Sequence, residues 1–251
     1  TNDPNLSSPF TLTHNENLNL RATVEPFDWL RIDLTGSRTF ARNTREYYVA
    51  DSTGLIRNYG LQEQGNFSMS FLSINTAFDK INQENNYHSN AFERFRNNRR
   101  KISRRLMEKR SSKSTHGYDP STSGTDGYWD GYGPSSQQVL IPSFLSAYGQ
   151  YNAESVPLKN FPTIPFPNWR ITFNKLTRIG FIKAVAKNVN ISHSYRSTYT
   201  VGSFMLNNDY RELDDQLNYV RDMKNNFLPR QEINSVAINE QFNPIINFNV
   251  T

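Results

Sequence analysis

The segment DGYWDGYG, residues 126–133, alternates aspartate with glycine, and its residue types could bind a metal ion. Ca²⁺ prefers carboxylate and carbonyl oxygens carried by flexible loops. The spacing of the aspartates does not match an EF-hand, however, and Asp and Gly are also ordinary turn formers. The sequence therefore favours a turn here over a calcium site.

Other side chains with catalytic or metal-ligating chemistry are scattered along the chain. The sequence contains no cysteine, which excludes disulfides, zinc–thiolate sites and cysteine nucleophiles. Gly-x-Ser-x-Gly, GxGxxG and P-loop patterns are absent. The histidines lie in different segments without HExxH or close-paired spacing, at His14, His88, His116 and His193. We therefore predict no catalytic, cofactor-binding or metal-binding residue and no enzyme, although an unmarked glycosidase-type carboxylate pair would escape this argument.

The pattern between Thr76 and Arg110 predicts a helix, and its basic part runs from Asn90 to Arg110. Phe92, Phe95, Ile102 and Leu106 recur at helical spacing, and nine lysines and arginines cover the remaining faces. Clustered basic residues can neutralise nucleic-acid or lipid phosphates. The stacking aromatics and base-reading motifs of known nucleic-acid modules are absent. We therefore expect no nucleic-acid partner, and a helix that docks by its apolar stripe.

The elements that must position any functional side chain are strands, and the clearest pattern runs from Pro167 to Met205. In both arms of this stretch, apolar and polar residues alternate with a period of two. The alternation outlasts an ordinary soluble strand of about 5–6 residues, whereas a tilted strand that crosses a bilayer needs about 9–11. In a membrane barrel the apolar face contacts lipid and the polar face lines a water-filled lumen.

This alternation assigns each residue to one of two faces. The predicted lipid-facing residues, which should meet lipid or a flanking protein, are Trp169, Ile171, Phe173, Val189, Ile191, Tyr195, Tyr199 and Val201. The predicted lumen-facing residues are Arg170, Thr172, Asn174, Asn190, Ser192, Ser194, Arg196, Thr198 and Thr200.

The composition favours the same interpretation. Of 251 residues only 36% are hydrophobic, and the mean hydropathy is −0.71, which is poor material for a large dry core. A barrel with a polar lumen resolves this conflict, because half of each strand can be hydrophilic while the backbone stays paired. The 13% of aromatic residues would suit interfacial girdles. A tyrosine-rich soluble β-protein is the alternative.

The chain divides into three regions. Residues 1–74 predict barrel strands, including a hairpin around Glu25–Asp28 and a strand at 67–71, with a loop over 39–65 that includes some strand at Tyr47–Ala50. Residues 75–166 predict a helical and Gly/Ser/Pro-rich insertion, whose proline-rich end should lie extended on another surface. Residues 167–251 predict further barrel strands, with a loop over 207–230 that carries a helical turn.

The strand count leaves one inconsistency. The connections Glu25–Asp28 and Thr177–Lys187 should lie on the same side of a barrel, yet the predicted strands between them do not alternate consistently. Either a strand near Tyr47 or within residues 136–166 is missing from the count, or one segment leaves the barrel wall.

Several segments together resemble the C-terminal part of one family of secretion proteins. These segments are THNENLNLRATVEPF, SSQQVLIPSFLSAY, PNWRITFNKL, ISHSYRSTYTVGSF and INEQFNPIINF. They resemble the SprA family, called Sov in some bacteria, which forms the giant outer-membrane translocon of the type IX secretion system of Bacteroidota. The resemblance runs through most of the chain and is weakest in the basic helix and in residues 111–133.

The resemblance implies an all-β fold that is part of a very large antiparallel transmembrane β-barrel with a helical, basic insertion. It implies a location in the cell outer membrane and the transport of folded cargo proteins with C-terminal sorting domains, including surface adhesins in species with gliding motility. The implied partners are the remainder of a much longer chain, membrane lipid, a PorV-type barrel, a periplasmic plug protein and the secreted cargo.

Two other classes of protein share the strand pattern. A TonB-dependent transporter or a porin-type barrel would have similar strands but would move small solutes. A soluble β-rich binding module would account for the low hydropathy.

Overall fold

The computed structural model describes residues 8–50, 52–118, 126–149, 151–174 and 189–250, and antiparallel β-sheet dominates it, as predicted. Two helices lie between the strands in sequence, α1 (Asn90–Ser111) and α2 (Gln137–Tyr148). The strands are β1 (Phe10–Phe27), β2 (Leu30–Ala50), β3 (Ile56–Ser70), β4 (Asn168–Phe173), β5 (Val189–Leu206), β6 (Gln231–Ile233), β7 (Val236–Phe242) and β8 (Asn247–Val250).

The strands occupy five positions in the sheet, and these positions follow the order of the chain. β1 pairs with β2 along nearly its whole length, from Phe10 opposite Glu46 to Phe27 opposite Leu30. β3 and β4 both pair with β2 on one side and with β5 on the other. β6, β7 and β8 all pair with the remaining side of β5. The result is an up-and-down meander with antiparallel neighbours throughout.

The third position is shared by β3 and β4, which run in the same direction. Met69 of β3 lies opposite Arg38, and Asn168 of β4 lies opposite Thr35 only three residues further along β2. The chain therefore leaves the sheet after β3 and returns to continue the same strand position. We call residues 71–167, which are looped out between these two points, the insertion.

β2 and β3 correct the prediction of a loop over residues 39–65. β2 continues to Ala50, and β3 begins at Ile56 after a tight turn that includes Gly54 at a positive φ of 77°. Charged residues and glycines obscured these strands in the sequence because they interrupt the alternation of apolar and polar residues.

This additional hairpin removes the inconsistency in the strand count. β1 and β2 are joined at Asp28, and β4 ends and β5 begins at that same end of the sheet. β2 and β3 are joined at the opposite end, at Gly54, where β5 also ends. The connection predicted at Thr177–Lys187 lies outside the described residues. We refer to the two ends of the sheet as the Asp28 end and the Gly54 end.

α1 forms where the basic helix was predicted, because the local signals agree. The Ser89 side chain caps it by accepting a hydrogen bond from the Phe92 backbone N–H at 3.2 Å. The positive charges of Lys109 and Arg110 in the last turn interact favourably with the negative end of the helix dipole. The helical pattern predicted before Ser89 instead forms short 3-10 turns at Ile74–Thr76 and Gln83–Asn85.

The main core lies between the insertion and one face of the sheet. Ile102 and Leu106 of α1 and Leu145 of α2 pack in one cluster with Phe67 and Tyr199 of the sheet. The proline-rich end of the insertion crosses the same face without helix or strand, as its composition predicts. None of the helices among the described residues is both long and apolar enough to span a membrane.

The loop at 207–230 contains no helical turn, which corrects the sequence prediction. It folds on itself through isolated bridges that pair Glu212 with Asn218 and Arg221 with Phe227. The Asn218 amide supplies the local hydrogen bonds, because its Nδ2 donates to the carbonyl of Leu228 at 2.9 Å. The strands predicted after this loop are present as β6, β7 and β8.

Candidate functional site

The register of β4 and β5 sorts their residues into two faces. Trp169 lies opposite Tyr195 and Phe173 lies opposite Ile191, whereas Arg170 lies opposite Ser194. Directly opposed residues in a pleated sheet project to the same side. The eight residues predicted to face lipid therefore share one face of the sheet, which we call the apolar face. The predicted lumen-facing residues of β4 and β5 share the other, which we call the polar face.

The polar face continues across β1 and β2. Arg31 and Thr23 both donate hydrogen bonds to the Asp33 carboxylate, at 2.9 and 2.7 Å. Arg170 and Arg196 are exposed on the same face. This surface carries hydroxyl, amide and paired charged groups, which interact well with water.

The apolar face has an uncovered part near the Asp28 end. No member of this part is fully buried, and the set comes from five strands. We call it the apolar band: Val24, Phe27, Leu30, Ile32, Leu34, Ile171, Phe173, Val189, Ile191 and Phe248. An aromatic cluster marks its edge, because Trp29 stacks on Phe27 with centroids 5.0 Å apart and on Phe173 with centroids 6.1 Å apart.

The insertion covers the part of the apolar face formed by the end of β3 and the later residues of β5. Tyr195, Tyr199 and Val201 were predicted to face lipid, but each is at most 1% exposed beneath the insertion. For these three residues contact with lipid is excluded, and protein, the other environment predicted for this face, surrounds them. A period of two identifies which residues share a face but carries no information about what covers that face.

A buried polar network attaches the start of the insertion to this face of the sheet. The Tyr195 hydroxyl donates to the Glu240 carboxylate at 2.5 Å and accepts from the Ser73 backbone N–H at 2.9 Å. The Ser73 hydroxyl also donates to Glu240, at 2.8 Å. Buried polar groups need such partners, so the hydroxyl of Tyr195 matches a protein environment rather than hydrocarbon.

The arginines of α1 hold the insertion together. Arg94 donates to the carbonyl of Ala147, and Arg105 donates to the carbonyls of Ala153 and Val156 at 2.8 and 2.9 Å. Irregular segments leave carbonyls without secondary-structure partners, and the multiple donors of a guanidinium satisfy them. These contacts assign much of the positive charge of α1 to a structural role.

The aspartate–glycine segment forms turns, as predicted. Both oxygens of Asp130 accept from Arg221, at 2.7 and 2.5 Å, and Asn225 donates to the same carboxylate at 3.2 Å. The Arg221 guanidinium holds the pKa of Asp130 below its usual range. Gly127 and Gly131 both have a φ of 76°, which favours glycine. Asp130 thus connects the insertion to the loop at 207–230.

Replacing Asp130 with asparagine is expected to weaken this connection. At neutral pH the loss should be about 1–3 kcal/mol of unfolding free energy, because a bidentate charged hydrogen bond is removed. Since the folded state lowers the pKa, the ionised carboxylate stabilises the fold above about pH 4, and that contribution is lost as the pH falls through the folded-state pKa. The variant should lose this acid-dependent step in thermal unfolding scans against pH. Asp126→Asn, in the same segment and exposed, should behave like the parent protein.

His116 lies beside two aspartates, an arrangement the sequence did not indicate. Its Nε2 is 3.2 Å from Asp214 and its Nδ1 is 3.1 Å from Asp215, so three potential metal ligands converge. Burial raises the pKa of Asp215, but hydrogen bonds from Tyr219 and His116 outweigh it and lower that pKa below its ordinary range. Tyr219 and the Leu217 N–H donate to Asp215 within the loop. The Thr115 N–H also donates to Asp215, at 3.4 Å, so this cluster fixes the loop to the segment after α1.

Neither a protein-family model nor any curated protein sequence matches this chain. The features that bear on function are therefore the two faces of the sheet, the edges left open among the described strands, and the resemblance in sequence.

Proposed function

We propose that this chain is a segment of an outer-membrane protein-conducting translocon of the type IX secretion class, and that its sheet is part of the wall of a very large β-barrel. The observation that carries the proposal is a meander of long, two-faced strands that is open at both edges. The resemblance to the SprA family favours a protein-conducting translocon over other classes of β-barrel.

The open edges call for further strands. The outer side of β1 and the outer side of β6–β8 pair with no other strand among the described residues. β1 is exposed along all 18 of its residues. Long unpaired edges favour pairing with additional strands, and a closed barrel removes such edges altogether. Neighbouring strands from a larger chain would satisfy both edges.

The strand lengths suit a large barrel that extends beyond the bilayer. β2 has 21 residues, which corresponds to about 70 Å at roughly 3.4 Å per residue. Only about 9–11 residues are needed to cross a bilayer. The apolar band at the Asp28 end occupies five residues of β2, Leu30–Leu34, and three of β5, Val189–Ile191, so it takes up only part of such a crossing. Beyond the band, the insertion covers the end of β3 and the later part of β5, whereas β1 is exposed along its whole length.

The transport mechanism needs no catalytic group. A folded protein crosses a membrane only through a wide aqueous passage, so the wall must be polar and weakly adhesive toward cargo. In the proposed barrel the polar face supplies this lining and the apolar band meets lipid. Proposed partners are the remainder of the chain, a PorV-type barrel, a periplasmic plug protein and cargo with C-terminal sorting domains.

Site-specific photo-crosslinking in intact cells tests this function. A photoreactive residue at Arg170 is expected to trap secreted cargo, because Arg170 is exposed on the polar face. The same residue at the adjacent Ile171 should trap lipid or the barrel's own neighbours, because Ile171 lies in the apolar band. Equal cargo yields at the two positions, or no cargo at Arg170 during active secretion, would overturn the proposal. Trapping of small solutes alone would favour a porin-type or TonB-dependent barrel.

A second candidate, a soluble β-rich binding module, is favoured by the core beneath the insertion. Phe67, Phe71 and Tyr199 are fully buried there, as in a sheet covered by a helical layer. This candidate differs in solubility. The intact protein should stay in aqueous buffer without detergent if it is a soluble module, and should require detergent for extraction if the apolar band meets lipid.

A further inference from the structure

A groove of about 460 Å³ lies near the Gly54 end, between α1, the proline-rich end of the insertion and the loop at 207–230. Five basic residues from α1, the segment after it, the insertion's proline-rich end and the loop line it, and no aspartate or glutamate among the described residues does. We call it the basic groove, and its charged residues are Lys109, Arg110, Lys113, Lys159 and Arg230. Three separate parts of the chain thus direct like charges toward one concave surface.

Within the part of the chain that the structure describes, these cations have no carboxylate partner. Among the described residues, no ion pair forms at the ammonium groups of Lys109, Lys113 and Lys159 or at the guanidinium of Arg230. Arg104, by contrast, pairs with Glu154 at 2.9 Å. Like charges that face one groove repel one another, more strongly where surrounding protein lowers the effective dielectric constant. An anionic ligand would offset that repulsion, which gives the groove a preference for negative charge.

Arg110 gives the groove a fixed positive wall. It is only 4% exposed, and its guanidinium lies over the Phe227 and Tyr219 rings at 3.6 and 4.4 Å from their centroids. Its Nη2 donates to the carbonyl of Asn218 at 2.8 Å, whereas its buried Nε has no acceptor among the described residues. A buried charge without a carboxylate partner is costly, so a bound anion nearby would stabilise this arrangement.

The remaining lining suits a peptide better than a bare inorganic ion. Leu106, Leu158 and Leu217 supply apolar surface, and the Gln138 and Asn160 side chains supply amide groups. Pockets of about 300–1,000 Å³ with apolar lining and a few polar groups are typical ligand sites. Side-chain amides can pair with a peptide backbone while the lysines meet its carboxylates.

The position of the groove argues against lipid headgroups as the ligand. Gln231, which lines the groove, pairs with Leu206 at the Gly54 end of β5. Ile191 of the apolar band lies fifteen residues earlier on the same strand, about 50 Å away at roughly 3.3 Å per residue. The groove is therefore remote from the part of the sheet that would meet a membrane.

We propose that the basic groove is a binding site for an acidic peptide segment, held by its carboxylates against Lys109, Lys113, Lys159 and Arg230. This site does not depend on the translocon function, because a soluble module with the same fold would present the same groove. Binding is electrostatic in large part, so its affinity falls as the salt concentration rises.

The test uses fluorescence anisotropy with a labelled hexaglutamate peptide and the intact purified protein. The double variant Lys109→Gln/Lys159→Gln is expected to weaken binding at low salt by at least about tenfold. The matched control Lys101→Gln/Lys224→Gln removes the same charge outside the groove and should change the affinity by less than about twofold. Circular dichroism checks that both variants remain folded.

Four outcomes would overturn the proposal. The first is no binding of hexaglutamate, and the second is equal weakening by the two double variants, which would show a response to net charge alone. The third is equal binding of hexaglutamine. The fourth is tighter binding of inorganic pyrophosphate or of vesicles with anionic phospholipid than of hexaglutamate, which would assign the groove to phosphate chemistry.

Discussion

Arginine at position 191 is expected to reduce strongly the amount of assembled barrel in the membrane, whereas arginine at position 192 leaves assembly unchanged. Ile191 lies in the apolar band opposite Phe173 and Phe248, and Ser192 lies on the polar face opposite Thr172 and Asn247. A charge on the lipid side near the bilayer midplane costs about 2–4 kcal/mol, while a charge in a water-filled lumen meets water. The free-energy cost of an arginine should therefore differ by about 2–4 kcal/mol between these two neighbouring positions of β5.

The measurement is the fraction of heat-modifiable or protease-protected protein in isolated membranes, for Ile191→Arg and Ser192→Arg at equal expression. The two substitutions add the same side chain one residue apart, so each controls for the other. Equal losses would contradict the assignment of the two faces. A larger loss for Ser192→Arg would place lipid on the opposite face of the sheet.

The strands were predictable wherever one face is apolar. β1, the first part of β2, β4 and β5 alternate clearly, and their register confirms which residues share a face. β2 beyond Phe40 and most of β3 were missed, because charged residues such as Arg42 and Glu63 interrupt the pattern on the apolar face. The Arg42 guanidinium on β2 and the Glu63 carboxylate on β3 lie 3.8 Å apart, so the interruption is a cross-strand charge pair.

What covers each face could not be predicted from the sequence. Tyr195 and Phe173 have the same parity and similar chemistry, yet one lies under the insertion and the other does not. The difference arises from contacts with residues more than a hundred positions away, such as Ser73. The basic groove was missed for the same reason, because Lys109, Lys159 and Arg230 converge only through the tertiary fold.

Gly131→Ala is expected to destabilise the contact between the insertion and the loop at 207–230 severely. Gly131 has a φ of 76°, and a Cβ there would overlap the Phe227 ring. Phe227 is 3% exposed in the main core and its backbone N–H donates to the Gly131 carbonyl, so the ring has little room to move away. The left-handed backbone costs about 1–2 kcal/mol and the overlap about 1–3 more.

The control is Gly117→Ala, because Gly117 has a similar φ of 69° but nothing within 4 Å of its Cβ position. It should lose only the backbone contribution of about 1–2 kcal/mol. Thermal unfolding followed by tryptophan fluorescence measures both variants, since Trp129 is close to the substituted turn. A larger loss for Gly131→Ala assigns the difference to the packing of Phe227 and hence to the junction that supports Arg110. Equal losses of unfolding free energy would show that Phe227 can shift freely. The contact between Gly131 and Phe227 would then not hold Arg110 in place.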